Sequence, residues 1–385
     1  MLNGRKNNNL VDVVVVRTAN SIIYDPRVKK IIASLSKRYS TFALGWNRDG
    51  ISQEKINNYF VKLEMFKLKT SVWKPSLRRI FTRLFLFFPP FWMWVFVKLL
   101  VYRPKVIHAC DLDTLLPCYI YKILFRKKLV FDVFDRYAMA LIPLRFKRLY
   151  FLINFFEEFF SKHSDALIIA GGEKVLETFE KRPKHFSVLM NCPEDYKLHN
   201  MKSNLEFEDN YFKIIYTGGV RKDRSLLNVA EAIRGLNSIH FVIAGPIIDN
   251  AVFQKMQEVP NVKYQGLLEP REALLLEARS NIMVALYDPI IPWNNITLPN
   301  KLFEAMMCKI PIITNVAPEI VNETGCGIIV EYDNVAQLKE SIIKLRDDPN
   351  LRKRLAENGR KAFLEKYNWD IMEQRLYKIY EDLIK

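Results

Sequence analysis

Short apolar runs rich in branched side chains recur along this chain, separated by stretches with helical spacing. That alternation limits the possible folds more than any other feature. Val13, Val14, Val15 and Val16 stand in an unbroken row. Such a run suits a strand covered on both faces, as inside a parallel sheet. A polar loop holding Arg17, Asp25, Pro26 and Arg27 follows, and then Ile31, Ile32 and Leu35 fall at helical spacing within 28–37. Strands are expected again at 41–44, 61–65, 106–107, 129–131 and 166–169, with helices over 115–124 and 146–160.

The same rhythm resumes after a polar interval. Residues 193–210 are charged and poor in aliphatic side chains, as a linker between domains would be. Beyond them, strands are expected at 213–216, 241–244, 262–264, 282–286, 312–313 and 328–330. Helices are expected over 226–236, 271–278 and 299–307, and three more over 335–346, 351–367 and 369–384. Strands alternating with helices specify an α/β architecture around mostly parallel sheets. A chain of 385 residues exceeds one ordinary domain. Two doubly wound, Rossmann-like domains are therefore expected, over 1–195 and 196–368, with 369–385 left as a final helix. Open α/β sheets bind ligands beyond the carboxyl ends of their strands, so a cleft between the domains is the expected site.

Half of the residues are hydrophobic, enough for a sizeable core, which excludes a disordered or fibrous chain. Cys110, Cys118, Cys192, Cys308 and Cys326 are odd in number and include no C-x-x-C pair, so neither a disulfide framework nor a zinc site is suggested. The opening MLNGRKNNNL lacks the apolar core of a secretory signal, and a reducing cytoplasm is the expected setting. With 58 basic and 42 acidic residues, the net charge of +16 calls for an anionic partner. Anionic lipid and phosphorylated substrates both fit. Nucleic acid is set aside, since no helix-turn-helix or RNA-recognition signature is present.

The segment with the most chemical content runs from Leu298 to Ile313. Pro299 suits the first position of a helix, where its missing N–H does no harm. The N–H groups of that first turn, aided by the helix dipole, favour a diphosphate. Asn300 lies in the same turn. Lys301 and Glu304 are three apart and share one face of the helix, which a surface ion pair would equally explain. A carboxylate so placed can accept two hydrogen bonds from a ribose diol.

This segment closely resembles the donor-nucleotide motif of retaining GT-B glycosyltransferases of the family-4 type, P-x-K-x-x-E-A-M-x-x-x-x-P-[IV]-I. The likeness continues elsewhere. The stretch 216–226, with Gly218, Gly219, Arg221, Lys222 and Arg224, is similar to the family's first C-domain strand and phosphate loop. Residues 241–246, 262–266 and 325–330 resemble its later strands and turns. Arg17 with Asp25–Val28, the run Ile107–Asp111, and Val130–Asp132 match positions that line the cleft in that family, with Arg17, Asp25, Arg27 and Asp111 on its acceptor side. The resemblance implies a GT-B fold with two Rossmann-like domains facing a central cleft, and a final helix that packs back on the N-terminal domain. It makes Glu304 the second glutamate of the family's E-x7-E motif, holding the donor ribose.

Two departures stand out. The first glutamate of that motif is replaced by Ile296, with Asn294, Asn295 and Thr297 as the neighbouring polar substitutes. Gly218-Gly219 stands where the family commonly has Gly-Arg, and Arg224, with Arg221 or Lys222, is left to meet the charge that develops on the leaving diphosphate. Asp111-Leu112-Asp113 imitates a D-x-D metal motif, but a carboxylate metal site needs further oxygen ligands, and no metal is assigned. Asp111 is expected to cap the following helix or to line the acceptor side. His108, at a strand end, is a candidate acid or base, although a lone histidine is often structural.

Residues 80–102 are strongly apolar and aromatic, with Arg78, Arg79, Arg103 and Lys105 on their flanks. Pro89-Pro90 divides the run into pieces too short to span a bilayer, so two interfacial segments are expected, with 145–160 adding to the same surface. A buried helix with a hydrophobic loop is the other reading.

The whole points to transfer of a hexose or related sugar from a nucleoside diphosphate sugar to a glycan or lipid-linked acceptor. Retention of configuration is expected, no cofactor or metal is implied, and the setting is the cytoplasmic face of an anionic membrane. Glu304, Arg224 and His108 are the candidate catalytic residues. A sugar-nucleotide epimerase of the same fold and a catalytically silent nucleotide-sugar or polyanion-binding protein are the rivals.

Overall fold

The computed structural model describes residues 11–18, 22–48, 50–68, 86–142, 145–198 and 210–384. The chain forms two compact units, one of Met1–Leu189 with Glu373–Lys385 and one of Met190–Met372. The first contains β1 (Val13–Val16), β2 (Thr41–Trp46), β3 (Lys62–Phe66), β4 (Val106–Cys110), β5 (Lys128–Val133), β6 (Ala166–Ile169) and β7 (His185–Val188). Their order is β3-β2-β1-β4-β5-β6-β7, and every pairing is parallel. All four valines of β1 are fully buried, which is why the run can be apolar throughout.

The second unit holds β8 (Phe212–Thr217), β9 (Ile239–Ala244), β10 (Val262–Tyr264), β11 (Ile282–Ala285), β12 (Ile312–Thr314) and β13 (Gly327–Ile329). They pair in parallel in the order β10-β9-β8-β11-β12-β13. Both units are thus doubly wound α/β domains. In each sheet the chain leaves a central strand to one side and later returns on its other side. The loops there diverge and open a crevice at the carboxyl ends. In the first unit Arg17 directly follows β1 and Asp111 directly follows β4. In the second, Gly218 follows β8 and Tyr287 lies just past β11.

The break between units falls at Leu189, not at 195. The physical reason is that residues after 189 are tied into the second unit: Asp195 holds Arg360 at 2.7 Å, and the Trp369 N–H donates to the Pro193 carbonyl at 3.0 Å. Residues 199–209 of the expected linker lie outside the described residues. The last helix, Trp369–Leu383, joins the first unit from Glu373 on. There Lys37 meets Glu373 at 2.7 Å, the Tyr377 hydroxyl donates to the Ser34 carbonyl at 2.9 Å, and Arg38 lies 3.7 Å from the Tyr377 ring centre.

Pro89 and Pro90 do not divide the apolar run. They occupy the first turn of one helix, Phe88–Tyr102, where a proline displaces no intrahelical hydrogen bond. Phe91, Val95, Leu99 and Tyr102 on one face of it are buried, while Met93, Val97 and Val101 on the other are exposed. The helix is thus buried on one face only. Residues 78–85 lie outside the described residues. The helix Asn250–Gln257 was not expected, although its signal was present: Asp249 accepts from the N–H groups of Ala251 and Val252 as an N-cap.

Candidate functional site

The second unit places the Leu298–Ile313 segment much as its sequence suggests, with one shift. Pro299 is the N-cap residue, in extended conformation, and the helix begins at Asn300 and ends at Cys308. The Leu302 N–H donates to the Pro299 carbonyl at 3.0 Å, and the amides of the first turn carry the positive end of the helix dipole. The Asn300 side chain accepts from Asn191 at 3.1 Å. Lys301 Nζ lies 2.5 Å from Glu304 Oε2, so the two side chains share a face and also contact each other.

A third member of this cluster escaped the sequence reading. Glu277, near the end of the helix Pro270–Ala278, is only 1% exposed. Its Oε1 accepts from the Thr217 hydroxyl at the end of β8 and from Lys301 Nζ at 3.4 Å. Burial foremost, with the neighbouring Glu304 charge, pushes the Glu277 carboxyl up to about 7, against the pull of Lys301. For Lys301, burial works against the ammonium, but Glu304 and Glu277 outweigh it and hold its pKa well above the ordinary lysine value. Lys301 is a cation held by two acids.

The loop after β8 is shaped by glycine. Gly218 has φ +148° and donates its N–H to the Ala244 carbonyl at 2.8 Å. Gly245 approaches it so closely that a Cβ there would lie 2.2 Å from the Gly218 carbonyl oxygen. Gly219 precedes Val220, whose N–H donates to the Pro246 carbonyl at 2.9 Å. The arginines of this loop are paired. Arg221 makes two hydrogen bonds to Asp223, at 2.8 and 3.1 Å, and Arg224 Nη1 meets Asp223 Oδ2 at 2.6 Å. The Arg224 guanidinium also lies 4.2 Å from the centre of the Tyr287 ring. Tyr287 is itself clamped by Asn315, which accepts from its N–H and donates to its carbonyl, both at 2.8 Å. Asp223 is therefore the rival of any phosphate for these two cations.

Near Ile296, the Asn294 amide donates to the Asp288 carbonyl at 2.8 Å and the Asn295 amide to the Pro289 carbonyl at 2.9 Å. Both side chains brace their own loop.

The first unit gathers Arg17, Asp25, Arg27, His108, Asp111 and Asp132 into one buried network at the ends of β1, β4 and β5. Arg17 bridges Asp25, at 3.1 Å, and Asp111. Arg27 meets Asp132 at 2.7 Å and donates to the Leu189 carbonyl. The Phe134 ring lies 4.1 Å from the Arg17 guanidinium and 4.9 Å from that of Arg27. Asp25 also caps the helix Pro26–Ser36 through the N–H groups of Arg27 and Val28.

The capping role expected of Asp111 and the acid–base role expected of His108 are not what this network provides. Asp111 flanks the short helix Leu112–Thr114 without a side-chain cap, because its carboxylate is taken by Arg17 and by the Phe134 N–H at 2.8 Å. His108 has no exposed surface, and both ring nitrogens are engaged: Nε2 lies 3.1 Å from Asp132 and Nδ1 2.7 Å from the Tyr380 hydroxyl. Burial opposes ionisation of Asp132, but Arg27 and then His108 hold its pKa below the ordinary value. An ionised Asp132 can only accept, so Nε2 donates to it, while Nδ1 pairs with the Tyr380 hydroxyl. That geometry positions β4 against the last helix and leaves no nitrogen for a substrate. His108, Cys110 and Asp132 are also the one cluster of metal-binding type among the described residues. Arg27 already supplies a cation to Asp132 there.

Comparison with known proteins bears on the fold and on the second unit. Residues 211–348 match the family model described as glycosyl transferases group 1. The capsular polysaccharide biosynthesis glycosyltransferase CapM of Staphylococcus aureus is 24% identical over 214 residues, 50% of this chain and 52% of that protein. The chain thus spans about half the length of that relative. Among solved structures, sucrose-phosphate synthase from Thermosynechococcus elongatus superposes with a TM-score of 0.75 at 14% identity, covering 97% of this chain and 99% of that one. HepE of Anabaena in complex with UDP gives 0.72 at 13% identity, over 96% and 100%. These likenesses establish the GT-B fold class for the chain, and over residues 211–348 it is similar to the group 1 glycosyl transferases.

Proposed function

We propose that the chain is a glycosyltransferase that moves a hexose or related sugar from a nucleoside diphosphate sugar to a glycan or lipid-linked acceptor. The observation that carries this reading is the pairing of Lys301 with Glu304 at the start of the helix Asn300–Cys308, inside the matched domain. In it, Glu304 accepts the ribose hydroxyls, and Lys301, Arg224 and the helix end meet the diphosphate. Fixed positive groups stabilise the charge that grows on the leaving group as the glycosidic bond breaks. The reading assigns that charge to protein cations without a metal, and takes the transfer to retain configuration, as the motif's resemblance implies. UDP bound to HepE, a protein of like fold, supports a nucleotide donor.

The same reading places the enzyme on the cytoplasmic face of an anionic membrane. No helix among the described residues is long and apolar enough to cross a membrane. Three helices of the first unit, Phe88–Tyr102, Leu115–Phe125 and Lys147–His163, carry 13 of the 23 exposed large hydrophobics among the described residues. Tyr119 packs edge-on against Phe159 and Phe160, and Phe96 against Tyr121, so the helices are neighbours. Exposed Arg126, Arg145, Lys147 and Arg148 stand at their ends. Apolar side chains bordered by cations suit a bilayer interface with anionic headgroups.

Ile296, in place of the family's first glutamate, favours a second reading, a nucleotide-sugar binder without turnover. One assay separates the two: release of nucleoside diphosphate from a panel of nucleotide sugars, with and without lipid-linked acceptors. Turnover abolished by Glu304→Ala supports transfer. Binding of the nucleotide sugar with no release, across the panel, sinks it.

A further inference from the structure

The buried acid behind Lys301 is not accounted for by holding ribose or phosphate. Glu277 sits on a different helix from Lys301 and Glu304, and its carboxylate is closed off from solvent. Thr217, the last residue of β8, donates to it, and Lys301 reaches it at 3.4 Å while reaching Glu304 at 2.5 Å. Cys308 completes its surroundings, with Sγ 3.9 Å from Oε2. The groups facing Glu277 are therefore Thr217 from β8 and Lys301, Glu304 and Cys308 from the helix Asn300–Cys308. Burial, then the charges of Glu277 and Glu304, keep the Cys308 thiol well above its ordinary pKa and hence neutral. Tyr287, just beyond β11, adds to the field at Lys301. Only the two carboxyls and the ammonium set the charge of the cluster.

We infer that Glu277 is a positioning residue of the donor site: its carboxylate anchors the Lys301 ammonium from behind and sets how much positive charge that lysine presents to an anionic donor. This rests on the donor site proposed above and deepens it. With Glu277 ionised, one cation faces two anions and the cluster carries a net negative charge. With Glu277 protonated, Lys301 and Glu304 balance, and a diphosphate meets no net repulsion. A diphosphate beside Lys301 adds negative charge near the buried carboxyl and raises its proton affinity, so its arrival draws a proton in. Donor binding and proton uptake become linked.

The experiment is titration calorimetry of the whole chain with UDP and with GDP between pH 5.5 and 8.5, in buffers of different ionisation enthalpy. Glu277→Gln keeps the shape and the accepting oxygen but holds the site neutral. In the wild type, affinity is expected to fall as pH rises through about 7, with proton uptake on binding. In Glu277→Gln the uptake is lost, and at pH 8 the nucleotide binds about fivefold more tightly than to wild type. Ionisation of the nucleotide's own phosphates is common to both proteins and cancels. Melting without nucleotide provides the control: the wild type loses stability as pH climbs from about 4.5 to 7, and the variant loses less. Equal pH slopes of affinity in the two proteins, with binding intact, overturn the role of Glu277 and leave the donor site standing. If no nucleoside diphosphate or nucleotide sugar binds the wild type, the functional reading fails and the inference falls with it.

Discussion

The Tyr380 hydroxyl stands 2.7 Å from Nδ1 of His108, so a residue near the end of the chain is bonded to a central strand of the first sheet. Both groups are fully buried. Tyr380→Phe would leave the ring packed but strand a buried imidazole nitrogen away from water. The expected cost is about 1–2 kcal/mol, read from urea unfolding followed by a probe in the first unit. A change below a few tenths would show that the contact contributes nothing.

Asp223 holds both arginines of the loop after β8. Removing that rival should release them. Asp223→Asn is expected to bind nucleoside diphosphate about three- to tenfold more tightly, and Arg224→Ala to lower kcat/KM for the donor by about tenfold to a hundredfold. Equilibrium titration and initial rates check the two. Weaker nucleotide binding by Asp223→Asn would mean that the acid orients Arg224 more than it competes with the ligand.

Asp111 gives a pH signature. Burial foremost raises its carboxyl from 3.8 to about 7, with Asp135 and Asp113 adding to the shift and Arg17 opposing it. The folded state then keeps a proton that the unfolded chain gives up near its ordinary pKa. The contribution to stability is full below that value and is lost as pH rises to about 7. Asp111→Asn, fixed in the neutral form, should flatten the decline in unfolding free energy between pH 4 and 7 by about 3 kcal/mol. Denaturant titrations at a series of pH values measure it, and parallel curves would refute it.

The apolar face of the three helices predicts flotation with liposomes containing anionic lipid. Phe151→Glu with Phe155→Glu, both exposed and on one helix, should cut the bound fraction severalfold without changing the melting temperature. Raising the salt should weaken binding further through the exposed cations. Undiminished flotation of the double variant would place the contact elsewhere.

Sequence pattern disclosed the strands because their side chains are buried on both faces. Residues 166–169 and 262–264 emerge where expected, whereas β7 does not, since His185 and Ser187 interrupt its apolar character. The Pro89-Pro90 pair misled because its meaning depends on where the helix starts, which composition does not state. Lys301 and Glu304 were visible through spacing along one helix. Glu277 was not, for its neighbours Thr217 and Lys301 lie 60 and 24 residues away and meet it only in the fold. It stands amid leucines in the helix Pro270–Ala278, where an acid reads as an ordinary surface residue. The pairing of Arg221 and Arg224 with Asp223 was missed although it spans only two residues, because the turn that joins them has no periodicity.

The placement of Glu373–Lys385 in the first unit has a consequence for how the molecule comes into being. A ribosome makes Met1–Leu189, then the whole of Met190–Met372, before it reaches the residues that give His108 and Ser34 their partners. At cellular translation speeds that interval lasts roughly ten to forty seconds. Throughout it the nascent amino-terminal half waits with an uncovered seam, exposed to chaperones.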